Sequence, residues 1–328
     1  MKQWIAILAT SVSLAPLMSL AADKPAAGTS AYPNKSIRLI VPFPPGGGTD
    51  LVSRTLQPAV TEALGQQLLI DNRGGAQGTS GTAIGAKANP DGYTLIIAEI
   101  GATAVAPWMY DTVPFDVARD FAPITQLIEQ PYIVSVHPSV PVKTLADFIK
   151  LAAAKPNGYN FGSGNVTSHL AQEVFYQTAK VRLTHIPYRG SGPAMTAVLT
   201  GEVQTLFSGP GAAITQIRAG KIRALAVTTG KRAPALPDVA TLEEQGFKGF
   251  VISGWYGLMA PAGTPRPIIQ QLNGVFTKIL SGGETAKQLA TRGYDPTPTT
   301  PEAFGKFMLT EYHRWGKAVK AAGVKATE

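Results

Sequence analysis

The chain is expected to fold as an α/β protein of two domains, built on mostly parallel sheets with helices on both faces. Three observations carry this expectation. Strand-like and helix-like patterns alternate through almost the whole length, as strands joined by helical crossovers must. At least four of those strands run into a turn rich in glycine, serine or threonine that opens a helix. In a doubly wound sheet such turns gather at the carboxyl ends of the strands, where ligands bind. The 328 residues also exceed what a single hydrophobic core usually holds.

The elements follow in order. Residues 37–43 read as a strand, 51–64 as a helix, 68–71 as a strand and 79–88 as a helix. Asn89-Pro90-Asp91-Gly92 is a turn, and 93–98 is a strand. Two further strands are expected over 124–127 and 132–136. Thr144 opens a helix to residue 154, with Asp147 placed for a capping box. A strand over 159–161 leads through Gly162-Ser163-Gly164-Asn165 into a helix ending at residue 179. A strand over 183–188 leads through Arg189-Gly190-Ser191-Gly192-Pro193 into another helix. Residues 203–207 and 222–228 are strands with a helix between them, and 251–259 returns as an apolar strand. Residues 265–280, 286–292 and 301–322 are helical. The helical tail most simply packs back on the first sheet. That makes the first domain discontinuous, 33–130 with 251–328, around a second domain over 131–250.

The amino terminus reads as a secretory leader. Lys2 precedes an apolar run without charge, and Ser19 and Ala21 are small residues placed for a cut after Ala21. A membrane anchor is the other reading, but the run holds Pro16 and is short for a bilayer span. Residues 1–21 are thus expected to be removed and 22–32 to form a disordered lead-in. There is no cysteine, which excludes thiol catalysis and cysteine metal sites. The net charge of +8 is spread along the chain, without a basic run interleaved with aromatics. Nucleic-acid binding is therefore not expected, whereas a mild positive field assists capture of anions.

The most informative stretch is Pro42-Phe43-Pro44-Pro45-Gly46-Gly47-Gly48-Thr49-Asp50. Prolines stop a strand, three glycines let the backbone approach something bound, and Thr49 or Asp50 is placed to cap a helix. Such a turn aims N–H groups at one point and suits an anion. Two readings stay open: a carboxylate cradle, or a tight turn with no ligand. No Gly-Lys-Ser/Thr follows, so it is not a phosphate loop. Gly75, Gly78 and Gly81 have the wrong spacing for a dinucleotide fingerprint. No Gly-x-Ser-x-Gly elbow and no metal-ligand spacing among His137, His169, His185 and His313 is present. His137 and His185 read as structural; for His169, ligand contact and packing both stay open. Arg189 and Arg73 are each open between gripping a carboxylate and bracing a loop. Phe43, Trp108, Tyr188, Trp255 and Tyr256 are candidates to wall a pocket or to fill the core.

At these residues the chain resembles a known family, the Bug/TctC-type substrate-binding proteins of tripartite tricarboxylate transporters. The likeness rests on Tyr32-Pro33, on the glycine stretch above, on Asp71-Asn72-Arg73-Gly74-Gly75-Ala76 and on Asn89-Pro90-Asp91-Gly92-Tyr93. It continues through Ser168-His169-Leu170-Ala171, Pro187-Tyr188-Arg189-Gly190-Ser191-Gly192-Pro193, Gly220-Lys221-Ile222-Arg223 and Pro261-Ala262-Gly263-Thr264-Pro265. The resemblance implies a two-lobed Venus-flytrap fold with an interlobe cleft, a periplasmic receptor without catalytic activity or cofactor, and a membrane permease as partner. A monomer is expected. The implied ligand is a small carboxylate, whether a di-, tri- or aromatic acid. One carboxylate would be held by the first-lobe turns, at Phe43, Gly46, Gly47, Gly48 and Thr49 and at Gln77, Gly78 and Thr79, with Thr103 beside them. The second lobe would meet the other end through Ser163, Thr167 and Ser168, with Arg189 and Ser208 as further candidates.

Two departures from the family pattern matter: Gly74 where proline is frequent, and Ser208 where many relatives carry Asp. The second weakens the case for an amino acid and leans toward a plain or aromatic acid. A sensor that presents its ligand to a membrane kinase, and an enzyme acting on a carboxylate, are the alternatives. The enzyme needs a nucleophile or acid–base pair that the sequence does not display.

Overall fold

The first sheet grows from β1 (Ile37–Val41), an apolar strand buried along nearly its whole length. The computed structural model describes residues 32–323 and residue 325. The expected leader, 1–21, and all of the lead-in except Tyr32 lie outside the described residues. β1 pairs in parallel with β2 (Leu68–Asn72) and with β3 (Thr94–Glu99). Helices α1 (Gly48–Leu64) and α2 (Thr79–Ala86) make the crossovers. A π-helical turn, Gly101–Val105, and a short helix α3 (Ala106–Met109) follow β3. The eleven-residue β4 (Phe121–Pro131) then carries the chain out of this sheet.

The second sheet begins directly with β5 (Ile133–Val136), only Tyr132 intervening. It continues through α4 (Leu145–Ala154), β6 (Asn160–Ser163), α5 (Val166–Thr178), β7 (Thr184–Pro187) and α6 (Ser191–Thr200). β8 (Thr205–Ser208), α7 (Pro210–Arg218) and β9 (Arg223–Val227) complete it, in the order β7-β6-β8-β5-β9. The chain then returns to the first sheet as β10 (Ser253–Pro261). α8 (Arg266–Leu280), α9 (Gly283–Thr291), β11 (Asp295–Pro296) and α10 (Pro301–Ala322) follow. The first sheet thus has the order β11-β4-β10-β3-β1-β2.

The two sheets flanked by helices agree with the sequence expectation, and the pairing adds a refinement. Among the described residues the parallel ladders are confined to β1–β2, β1–β3, β6–β7 and β6–β8. β10 runs against β3 and β4, and β5 runs against β8 and β9. A helical crossover returns the chain to the same edge and gives a parallel neighbour. Strands that pass from one sheet to the other use no such crossover, and they enter reversed.

The core explains why these segments hold together. One cluster of buried side chains runs from Ile96 and Ala98 of the first sheet to Val134, Phe161 and Phe207 of the second. A second cluster, around Val198, Leu206 and Ile214, covers the other face of the second sheet. α10 is anchored by polar bonds as well as apolar packing. The indoles of Trp255 and Trp315 both donate to the buried Glu311 carboxylate, and the Trp108 indole donates to the Tyr312 carbonyl. Among the described residues no helix is long and apolar enough to cross a membrane.

Candidate ligand-binding site

The glycine turn after β1 settles its own local question. α1 starts at Gly48, with Gly47 as its N-cap and no side-chain cap. Thr49 and Asp50, the caps expected from sequence, lie inside the first turn. Asp50 instead reaches back, accepting from the Gly46 N–H at 2.9 Å and from the Arg54 guanidinium at 3.0 Å. Burial works against its charge, but these bonds and one from Asn72 outweigh that, so its carboxyl titrates below the usual range. Asp50 closes the loop in this way, and the first-turn amides of α1 stay without an intrahelical acceptor.

The same arrangement recurs twice. α6 has Gly190 as N-cap, at φ 113°, and α7 has Gly209, and neither has a side-chain cap. All three helix starts face one cavity of about 400 Å³. Its wall includes Phe43 to Thr49 after β1, Glu99 at the end of β3, and Gly164 and Asn165 after β6. Arg189 to Pro193 after β7, Gly211 and Ala212 of α7, Tyr256 and Tyr294 complete it. Strand ends from both sheets therefore converge on one space. Three helix dipoles aimed at that space favour a negative charge by about 0.3–1 kcal/mol each, and more when buried.

A second space of about 530 Å³ opens beside the first and shares Phe43, Pro44, Gly164, Arg189 and Gly190 with it. Its further wall is the turn Gly75-Ala76-Gln77-Gly78. Ala76 and Gln77 both hold positive φ, at 43° and 54°, a costly conformation for residues that carry a Cβ.

Gly48 is required by a close approach. A Cβ there would come within 2.6 Å of the Tyr256 hydroxyl and 2.9 Å of the Tyr294 hydroxyl. Both phenols are buried under the start of α1, and burial pushes each well above the ordinary tyrosine range. Tyr256 accepts from the Gln130 amide at 3.0 Å.

The structure brings some of the sequence candidates to the cavity and others not. Phe43, Gly46, Gly47, Gly48, Thr49 and Arg189 line the first space, and Gln77 and Gly78 line the second. Thr79, Thr103 and Ser168 are buried and turn their hydroxyls to backbone carbonyls, of Ala76, Glu99 and Asn165 respectively. Ser163 bonds His185 at 2.7 Å. Thr167 and Ser208 are buried, with hydroxyls that have no well-formed hydrogen bond among the described residues. Arg73 pairs with Asp71 at 2.9 Å and braces its loop, while Arg189 makes no ion pair among the described residues and stays exposed at the rim. Of the aromatic candidates, Phe43 and Tyr256 wall the cavity, Trp255 is core, and Trp108 packs at a tilt against Tyr312.

One arrangement escaped the sequence altogether. Ser163, His185 and His169 form a line, with the two imidazoles stacked 3.7 Å apart and Glu173 3.6 Å from His169. A serine hydroxyl on an imidazole is the geometry of a nucleophile and its base. The adjoining void is only about 20 Å³, too small for a substrate. Burial and then the neighbouring His169 lower the His185 pKa to about 4, which makes it a poor base at neutral pH. The pair is packing. Among the described residues no cluster of potential metal ligands occurs.

Glu99 was missed too, though a signal existed. It is the one acid in an otherwise apolar segment, Leu95 to Ile100, immediately before Gly101. It is buried, lines the cavity, and accepts from the Ala102 N–H at 3.0 Å.

Two α/β sheets, joined by direct strand passages and opening their strand ends onto a shared cleft, define the periplasmic-binding-protein architecture. The chain belongs to the tripartite tricarboxylate transporter receptor family, whose model matches residues 52–324. It is 35% identical to Protein BugT of Bordetella pertussis over 297 residues, covering 90% of this chain and 91% of that protein. Among solved structures, an R. palustris protein with adipate superposes with a TM-score of 0.86 at 34% identity, covering 90% and 99% of the two chains. MatC from Rhodopseudomonas palustris, with bound malate, gives a TM-score of 0.81 at 30% identity, covering 88% and 100%.

Proposed function

We propose that this protein is a periplasmic receptor that captures a small organic carboxylate between two lobes and hands it to a membrane permease. The observation that carries the reading is the convergence of three helix starts, each with a glycine N-cap and no side-chain cap, on one cavity. Unclaimed amides at the starts of α1 and α6 bind a carboxylate by charge-assisted hydrogen bonds, whereas α7 contributes its dipole, since Pro210 has no N–H and the Gly211 N–H donates to the Tyr294 hydroxyl. The exposed Arg189 guanidinium at the rim supplies a mobile counter-charge. The adipate and malate held by two structural relatives are acids of this size.

In this reading the lobes comprise 33–130 with 251–328, and 131–250, and they close about the two strand passages. Closure buries the acid and creates the form that the permease recognises. The protein works as a monomer and leaves its ligand unchanged.

The test is calorimetry of the mature protein against mono-, di- and aromatic carboxylates, beside the Gly47→Val variant. Gly47 has ordinary φ, and its Cβ position has a single atom within 4 Å, the Pro44 carbonyl oxygen at 3.7 Å. The valine is therefore expected to leave the fold intact and to abolish binding by filling the carboxylate's place. Unchanged affinity in a folded variant would remove the cradle from this reading.

A further inference from the structure

Glu99 poses a problem that the carboxylate cradle alone does not answer. An acid is buried on the wall of a cavity whose helix starts favour anions. Among the described residues no cation pairs with it, and its compensation is the backbone N–H of Ala102 and of Gly101. Across from it stand groups equally short of partners. Among the described residues the hydroxyls of Thr167 on α5 and of Tyr132 are buried and face each other without a well-formed hydrogen bond. Glu99 Oε2 and Thr167 Oγ1 lie 2.8 and 3.0 Å from the point a Cβ on Gly101 would occupy. Only glycine there leaves that corner open. Residues from β3, from α5 and from the β4–β5 passage thus meet in one polar corner, reached from the cavity through Glu99.

A carboxylate of the ligand does not belong beside a second buried carboxylate, because like charges in a low-dielectric site repel strongly. A hydroxyl or ammonium group does belong there, since it donates to Glu99 and satisfies its charge. Resting on the carboxylate-capture reading above, we propose that Glu99 determines specificity. The helix starts hold one carboxylate, Glu99 accepts a hydrogen bond from a hydroxyl or amino group elsewhere on the ligand, and diacids of the same length are disfavoured.

The groups facing Glu99 are Tyr132 from the β4–β5 passage, Tyr256 from β10 and Thr167 from α5, with Arg189 across the cavity. The phenols stay neutral throughout the working range, so Glu99 is the group that titrates there. Burial raises its pKa to about 7. A neutral Glu99 can donate to a second carboxylate, so acidification relaxes the discrimination.

The experiment is calorimetry of the mature protein with matched probes: 6-hydroxyhexanoate and 6-aminohexanoate against adipate, and 4-hydroxybenzoate against terephthalate. At about pH 8 the wild type is expected to prefer the hydroxy or amino acid in at least one matched set by about tenfold or more. Glu99→Gln, which can donate, should bring that ratio to within about threefold, chiefly by admitting the diacid. The wild type at about pH 5.5 should behave like that variant. Thr167→Val, which keeps the shape and removes the hydroxyl, should weaken the preferred acid several-fold. If acids bind but Glu99→Gln leaves every ratio unchanged within about twofold, the specificity role is overturned and carboxylate capture survives. If no probe binds the wild type, the carboxylate reading falls and this proposal falls with it.

Discussion

Two buried titratable groups pull the stability of this protein in opposite directions with pH. Burial raises Glu99 from 4.5 to about 7, so the folded state holds a proton that the unfolded state releases between those values. Its contribution is fully present below about pH 4.5 and is lost as pH rises toward 7, by about 3 kcal/mol. His185 is lowered from 6.5 to about 4, first by burial and then by the charge of His169. Its contribution is present above 6.5 and is lost on acidification, by about 1–2 kcal/mol after allowing for its partial exposure. Urea unfolding across this range should therefore find Glu99→Gln losing stability on acidification faster than the wild type, and His185→Phe losing it more slowly. Parallel curves for all three proteins would contradict both assignments. Residue-level legibility was uneven for a physical reason. Gly46, Gly47 and Gly48 were readable because chain direction and steric freedom are local properties. Ser163, His185 and His169, or Glu99 and Thr167, meet across elements far apart in sequence, and no local pattern encodes that meeting.

At the scale of elements, the strand and helix periods were legible nearly everywhere, while the starts of helices were less so. Thr144 caps α4 as its spacing predicts: its Oγ1 accepts from the Asp147 N–H, and Asp147 Oδ2 accepts from the Thr144 N–H. Thr144→Ala should cost about 1 kcal/mol in chemical denaturation. Affinity for any bound acid should not change, since α4 does not line the cavity. The start of α1 reads differently. Thr49 and Asp50 look like caps in one dimension, yet the helix begins earlier because Asp50 is drawn back to Gly46 and Arg54. Gly48→Ala should destabilise the protein where Gly47→Val does not, because its methyl meets two buried phenols. A thermal scan that ranks the two variants the other way would contradict the tyrosine packing under α1. The strands that join the sheets were found in the sequence, but not their direction. Direction follows from which sheet a strand comes from, and an apolar run looks the same read either way.

For the whole molecule, the decisive feature is that apolar packing does not stop at the strand passages. Ile96 and Trp255 of the first sheet share a cluster with Val134 and Phe161 of the second sheet and with Phe175 of α5. Heating is therefore expected to give one cooperative calorimetric transition, moved upward by a binding acid. Two separated transitions would mean that the sheets unfold independently. The three indoles of the described residues gather on a single helix: Trp255 and Trp315 share Glu311, and Trp108 leans on Tyr312 of the same α10. Their ultraviolet emission is thus an optical probe of one seam. An emission spectrum that stays flat through a titration means only that this seam is undisturbed, whether the cleft is filled or empty. A red shift means that α10 has lifted away and let solvent reach the rings.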